Sequence, residues 1–156
     1  LVATFSRPEL PLFISINTLT AKHMAFEQDL FGFSANVFLT GHLTLANGDF
    51  DVDIMAHCLD RPGSFSVLTK ISNSNRTANI DISADEPQNG ILANVFNIEG
   101  RPALNIAIKG DGTFDDLVIK LYSEVDHYPV LNGNVILARF AEGHSFSTKL
   151  VGAFAP

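Results

Sequence analysis

The sequence has almost no cysteine, no tryptophan and few charged residues. Cys58 is the only cysteine among 156 residues, which excludes an internal disulfide framework. We expect its side chain to serve as a small buried hydrophobic group. Charged residues make up 17% of the chain, and the formal net charge is −7. A chain with this acidic balance lacks the cationic surface that nucleic-acid phosphates require, so we expect no nucleic-acid partner.

Long hydrophobic runs are also missing. No stretch approaches the roughly 18 apolar residues of a membrane-spanning helix, and the first residues do not resemble a signal peptide. The chain starts with Leu1 and ends with Pro156, and strand-like patterns come close to both ends. We therefore expect residues 1–156 to be a single β-rich segment of a longer chain.

Sequence signatures of catalysis are missing as well. The chain has no G-x-S-x-G elbow, no Walker loop and no G-x-G-x-x-G motif, and these are the short motifs with the best-defined chemistry. Its five histidines never occur at the i, i+2 or i, i+4 spacing that a local zinc site uses. We expect neither an enzyme nor a cofactor.

One stretch, "KGDGTFDDLVIK", resembles a calcium-binding loop. When Gly112 is aligned with the invariant glycine of an EF-hand, Ala107, Lys109 and Val118 fall on ligand positions that need oxygen donors. The sequence therefore predicts a tight turn here and no metal site.

Apolar residues are abundant, at 46% of the chain with a mean hydropathy of +0.20. Most of them alternate with polar residues at a period of two, which is typical of β-strands with one buried face. Strand starts recur about every 11 to 14 residues, so we predict ten or eleven strands in a mainly antiparallel, all-β fold. The alternation predicts one shared apolar interior formed by Phe50, Val52, Ile54, Ile80, Ile82, Leu104, Ile106, Ile108, Leu117, Ile119 and Leu121.

Turn-forming residues separate these runs. The predicted turns are "ANGD" at 46–49, "DRPG" at 60–63, "NSNR" at 73–76, "KGDGT" at 109–113, "LNGN" at 131–134 and "AEGH" at 141–144. A sheet with one apolar face must close into a barrel, pack on a second sheet, or curl over something else. Composition alone does not choose among these three.

One stretch breaks the strand pattern and predicts a short helix near residues 88–97. Pro87 would stand in its first turn. Its apolar side chains follow helical spacing: Ile91, Leu92, Val95, Phe96 and Ile98. Such a helix could be a plug that completes the core, or a gate over a path for lipid.

From about residue 59 onward the sequence resembles the TamB family of the AsmA-like superfamily, especially its alphaproteobacterial members. The resemblance is a series of elements in order. These are the turn and Gly-led strand "LDRPGSFSVLTKIS", the pair Glu86-Pro87 with Gly90 and an apolar helical run, "PALNIAIKGDG", Asp115-Asp116 with "LVIKL", "LNGNVIL", and "FSTKLVGAFAP". The family often has Pro and Trp after the second glycine, where this chain has Thr113 and Leu117.

The resemblance implies a curled, taco-shaped β-sheet with an apolar concave interior. It implies a periplasmic location, in a protein anchored at the inner membrane by a helix that this segment does not contain. It further implies a hydrophobic groove that conducts phospholipids between the inner and outer membranes, or assists assembly and secretion of outer-membrane proteins with a TamA-like partner. The predicted interior residues would then be the ones that bind acyl chains.

Two other possibilities remain open at this point. The segment could be a chaperone-like module that binds unfolded outer-membrane proteins by adding their strands to an open sheet edge. It could also be a closed β-sandwich or barrel without lipid.

Overall fold

The structure is a computed structural model that describes residues 13–27, 34–140 and 143–152. These residues form one antiparallel sheet and one short helix, α1 (Ile91–Val95), between the fifth and sixth strands. The strands are β1 (Ile14–Phe26), β2 (Ala35–Ala46), β3 (Asp49–Cys58), β4 (Ser64–Ser72), β5 (Thr77–Glu86), β6 (Leu104–Thr113), β7 (Asp116–Val125), β8 (Tyr128–Phe140) and β9 (Gly143–Gly152).

Each strand pairs with the strands before and after it in the chain, in the order β1 to β9. The predicted all-β, antiparallel class is confirmed. The described part of the chain contains nine strands where we predicted ten or eleven, because the alternating runs around Val37 and Leu43, which we counted as two strands, form the single strand β2. Gly41 lies inside that strand, where a Cβ atom would overlap the backbone oxygen of Asp53.

The register divides the sheet into two faces, because directly opposite residues of antiparallel strands point to the same side. Ile54 pairs with Val67, Val67 with Ile82, Ile82 with Ile108, and Ile108 with Leu121. We call the side that carries this row the inner face and the opposite side the outer face. The inner face is continuous across these five strands.

The sheet is curled around its inner face and is not closed. Within β3–β7, Phe65 is the only exposed inner-face residue, at 39%. On the outer face, Met55 and Leu68 are 52% and 47% exposed. β1 and β9 remain the edges of the sheet. A closed barrel or sandwich is therefore wrong for the described part of the chain.

The turn predictions were partly right. Asn47 and Gly48 form the turn between β2 and β3 with positive φ angles of 51° and 79°, and residues 73–76 connect β4 to β5. In contrast, "KGDGT" and "LNGN" lie inside β6 and β8. In β6, Gly110 allows close packing against β7, because a Cβ atom at this position would lie 3.0 Å from Ile119 Cγ1. Residues 141–142 of "AEGH" lie outside the described residues.

The two ends of the sheet differ. At the turn end, strands join through short connections after Ala46, Ser72 and Thr113. At the helix end, the β5–β6 connection is longer and contains α1. The predicted helix near 88–97 is confirmed but shorter. Its N-cap is Gly90, so Pro87 lies before the helix and not in its first turn.

Candidate functional site: an open apolar face

The register places all eleven predicted interior residues on the inner face. They occupy β3, β5, β6 and β7, and β4 bridges the first two of these strands. Val52, Leu104 and Leu117 are buried. The others are partly covered: Phe50, Ile54, Ile80, Ile82, Ile106, Ile108, Ile119 and Leu121. The structure thus brings the predicted set together as one apolar surface that protein atoms cover incompletely.

Other inner-face residues were not in the predicted set. The register adds Leu39, Leu43 and Leu45 of β2, Val67 and Ile71 of β4, and Leu131, Val135 and Leu137 of β8. Alternation within each strand was visible in the sequence. The side on which each run lies relative to its neighbour depends on the pairing register, which the sequence does not give directly.

The inner face is long enough for lipid tails. Nine paired strands have eight spacings of about 4.8 Å, so the face measures roughly 38 Å from β1 to β9. An acyl chain spans about half of a hydrocarbon core of roughly 30 Å. The face therefore accommodates about two extended tails placed end to end across the strands.

Few polar side chains interrupt this face. From β2 to β7, the inner-face positions include one charged residue, Glu86, and two hydroxyl residues, Thr69 and Ser123. Cys58 also faces inward and is half-buried, which is less than the burial that we predicted. Burial raises the pKa of the Cys58 thiol, and the nearby negative charges of Glu86 and Asp60 raise it further.

Glu86 holds the first turn of α1. The backbone N–H groups of Ile91 and Leu92 donate hydrogen bonds to its carboxylate oxygens Oε1 and Oε2, at 3.0 and 2.7 Å. The residue is 9% exposed. Burial raises the pKa of this carboxyl group, and the hydrogen bonds from the backbone of α1 act in the opposite direction. The capping interaction satisfies two N–H groups that a helix leaves free at its start.

α1 lies at the helix end of the sheet, in the connection between β5 and β6. Ala93 is completely buried, whereas Val95 and Phe96 are 52% and 68% exposed. The Asn94 side chain donates a hydrogen bond from Nδ2 to the Gly90 oxygen at 2.7 Å. Because the cap comes from inward-facing Glu86, the helix lies where the inner face ends.

A cavity of about 700 Å³ lies on the outer face at the turn end. Phe50 is the one member of the predicted set that lines it. Most of its other lining residues carry polar side chains: Lys70 contacts Asp51 at 3.2 Å, and Asn79 donates a hydrogen bond to Asp111 at 2.9 Å. Because most of its lining residues belong to the outer face, we assign this cavity no part in the inner-face site.

The acidic residues of the calcium-like stretch have protein partners. The Asp115 carboxylate accepts a hydrogen bond from Arg76 at 3.0 Å, and the Asp111 carboxylate accepts one from Asn79 at 2.9 Å. Among the described residues, no group of three or more His, Cys, Asp or Glu side chains is arranged to hold a metal ion. Within the same ranges, no helix is long and apolar enough to cross a membrane.

Comparisons of the chain with protein-family models, with curated proteins and with solved structures found no match.

Proposed function

We propose that this segment binds acyl chains of phospholipids on its inner face and conducts them between the inner and outer membranes, as a module of a TamB-like periplasmic protein. One observation carries the proposal: a continuous apolar face, curled but not closed, with no second layer of protein over it in the described part of the chain. Soluble domains rarely leave such a face to water unless something else binds there.

The energetics favour a hydrocarbon ligand. Each Å² of apolar surface removed from water contributes roughly 25 cal/mol, and an acyl chain on the inner face would remove area from both partners. The inner face could not offset the loss of water by a charged ligand. Glu86 is the only charged inner-face residue from β2 to β7, and its carboxylate already caps α1. The ligand that fits this surface is the tail of a lipid, with its head group outside.

A TamA-like outer-membrane partner and outer-membrane proteins in the course of assembly belong to the same proposal. In this setting the sheet supplies a path that shields lipid tails from water. α1, which Glu86 holds by hydrogen bonds to the Ile91 and Leu92 N–H groups, lies at the helix end of this path.

A different observation, at the edge strand β1, favours a second function. Among the described strands, β1 pairs with β2 alone, and it carries three apolar inner-face residues, Ile14, Ile16 and Leu19, that are 37–40% exposed. An unfolded strand of an outer-membrane protein could add to such an edge by β-augmentation. Crosslinks from β1 to a nascent barrel protein, without crosslinks from the inner face to lipid, would favour this function.

Photo-crosslinking tests the lipid path directly. Probes at Ile106 and Ile119 point to the inner face, and probes at Asn105 and Lys120, their neighbours in sequence, point to the outer face. In the full-length protein in cells, we expect phospholipid adducts at 106 and 119 and few at 105 and 120. Equal labelling of both faces, or no labelling at any position, would rule out the lipid path.

A substitution separates a lipid path from a simple core. Ile106→Asn puts a neutral polar group on a partly covered part of the inner face. We expect lipid transfer by the full-length protein to fall while its melting temperature changes little. If transfer is lost only in variants that also unfold, the inner face serves stability alone.

A further inference from the structure

Phe65 is exposed on a part of the inner face that is otherwise covered. It lies on β4, where Ala56 of β3 stands directly opposite on one side and Ala84 of β5 on the other. Its ring therefore extends well beyond the two methyl groups that flank it. The residue is 39% exposed, although β4 lies inside the sheet and has a paired strand on each side.

The connection before β4 is exposed at the same end of the sheet. Leu59 follows β3 directly and is 43% exposed, and Phe65 is the second residue of β4. Both residues thus belong to the helix end. Within β3–β7, the Phe65 side chain is the part of the inner face most open to a solute from outside.

The surroundings of the ring suit hydrocarbon and not a polypeptide. The inner-face neighbours of Phe65 are Ala56, Ala84 and, along its own strand, Val67. None of these side chains donates or accepts a hydrogen bond. The backbone of a bound peptide would lose its bonds to water here without replacement, whereas a methylene chain has none to lose. The ligand that the exposed ring favours is therefore an acyl chain.

We propose that the Phe65 ring marks the entry to the inner face: an acyl chain packs on this ring close to its head group and continues over Ala84 and Ile106, the next residues in the same row. The proposal rests on the proposed lipid-binding function and adds a position to it. From β4, five strand spacings lead to β9, a distance of roughly 24 Å. An extended acyl chain, about 15 Å long, fits on this side of the ring.

A tryptophan at this position tests the contact. The chain has no tryptophan of its own, so Phe65→Trp introduces a single one. Leu68→Trp is the matched control, because Leu68 lies on the same strand, faces outward and is 47% exposed. Each variant is mixed with vesicles of phosphatidylcholine whose acyl chains carry bromine, a short-range quencher, either close to the head group or close to the methyl end. We expect quenching in Phe65→Trp, stronger for bromine close to the head group, and little quenching in Leu68→Trp.

Truncation of the ring measures how much it contributes to binding. An acyl chain that covers the exposed part of Phe65, 39% of the residue, removes roughly 80 Å² from water, which corresponds to about 10- to 30-fold in affinity. Phe65→Ala should weaken binding of monomeric diheptanoyl phosphatidylcholine by about this factor in isothermal titration calorimetry. Phe65→Leu, which stays apolar and bulky, should lose much less, and Leu68→Ala should bind as wild type does. The melting temperature of each variant shows whether it is folded, and the tryptophan measurement decides the question if Phe65→Ala does not fold.

Each other outcome has a definite meaning. If wild type binds lipid but Phe65→Trp is not quenched, or folded Phe65→Ala binds as tightly as wild type, the Phe65 proposal is wrong and the lipid-binding function stands. If both tryptophans are quenched equally, the chain adsorbs to vesicles without a preferred face, and the proposal is wrong. Quenching by bromine close to the methyl end alone would place the entry elsewhere on the inner face. If wild type binds no lipid, the proposed function itself fails.

Discussion

The inner and outer faces of the sheet come from alternate residues of the same strands, yet they suit different surroundings. On the outer face, Lys109 contacts Asp81 at 3.0 Å, and the Asn105 side chain donates a hydrogen bond to Asp85 at 3.0 Å. Both pairs connect β5 to β6. On the inner face, the same two strands place Ile82 opposite Ile108. A single run of alternating residues thus specifies one face for water and another for hydrocarbon.

The difference also shows what is missing from a usual β-domain. In a sandwich or a closed barrel, an apolar face is covered by a second sheet or by the opposite wall. Here the inner-face residues of β3–β7 are better covered than the outer-face residues, but only three of the predicted eleven, Val52, Leu104 and Leu117, are buried. The two faces therefore differ sharply in polarity and moderately in burial.

The strongest test of this contrast puts the same charge on both faces. Ile108→Lys introduces an ammonium group on the inner face between Ile82 and Leu121, and Ala107→Lys introduces it on the outer face one residue earlier. We expect Ile108→Lys to lower the free energy of unfolding by about 2–4 kcal/mol, because the charge loses water and a buried aliphatic contact is lost.

Ala107→Lys is the matched control, and urea unfolding measures both variants. Its new side chain lies opposite Ser83, with Asp81 and Asp85 two residues to either side, so we expect a change within about 0.5 kcal/mol. Equal losses in the two variants would show that the two faces do not differ as we describe.

A smaller effect is expected where the inner face meets α1. Glu86→Ala removes both acceptors for the N–H groups of Ile91 and Leu92. Loss of a helix cap costs about 1–2 kcal/mol, and hydrogen exchange of these two amides should become faster. Glu86→Gln keeps one acceptor oxygen and should lose less. Unchanged exchange in Glu86→Ala would show that the carboxylate does not hold the helix.

The same residue predicts a pH dependence. Burial raises the pKa of Glu86 above its ordinary value of 4.5, so the folded state holds this proton more tightly than the unfolded state does. The contribution of Glu86 to stability is fully present at pH values below its unfolded-state pKa. It is lost as the pH rises through the higher pKa of the folded state. As the pH rises above about 4, the unfolding free energy of wild type should therefore fall relative to that of Glu86→Gln. If wild type instead gains stability relative to Glu86→Gln over this range, the pKa of Glu86 is not raised in the folded state.

The smallest effect is expected on the outer face. Lys109 and Asp81 form an ion pair that water reaches from both sides, and pairs of this kind contribute about 0–1 kcal/mol. A double-mutant cycle of Lys109→Ala and Asp81→Ala should give a coupling energy of about 0.5 kcal/mol or less, and less still at high salt. A coupling of several kcal/mol would mean that the outer face is not simply solvated.

Alternation within strands was enough to predict the class of the fold and the parity of the site. Phe50, Val52 and Ile54 alternate with three aspartates, and this pattern alone identifies their common side. Gly110 and Gly133 misled the turn prediction, because glycine within a strand looks the same in sequence as glycine in a turn.

Features that depend on contacts between distant residues could not be predicted. The cap on α1 requires that Glu86, at the end of β5, faces inward and lies beneath residues five and six positions later. The exposure of Phe65 depends on the register of β4 with both of its neighbours. A phenylalanine in an alternating strand gives no sign of whether its ring is covered.

The strict neighbour-to-neighbour order of the strands has a consequence for how the protein folds and opens. Every pairing joins strands that adjoin in sequence, so each one except the β5–β6 pairing can form by closing a short loop, at low entropic cost and without waiting for the chain termini to meet. Cooperativity then passes along the sheet from one hairpin to the next, as in repeat proteins. We expect slow amide exchange in β4–β6 and progressively faster exchange toward β1 and β9, where each edge strand is held by one neighbour.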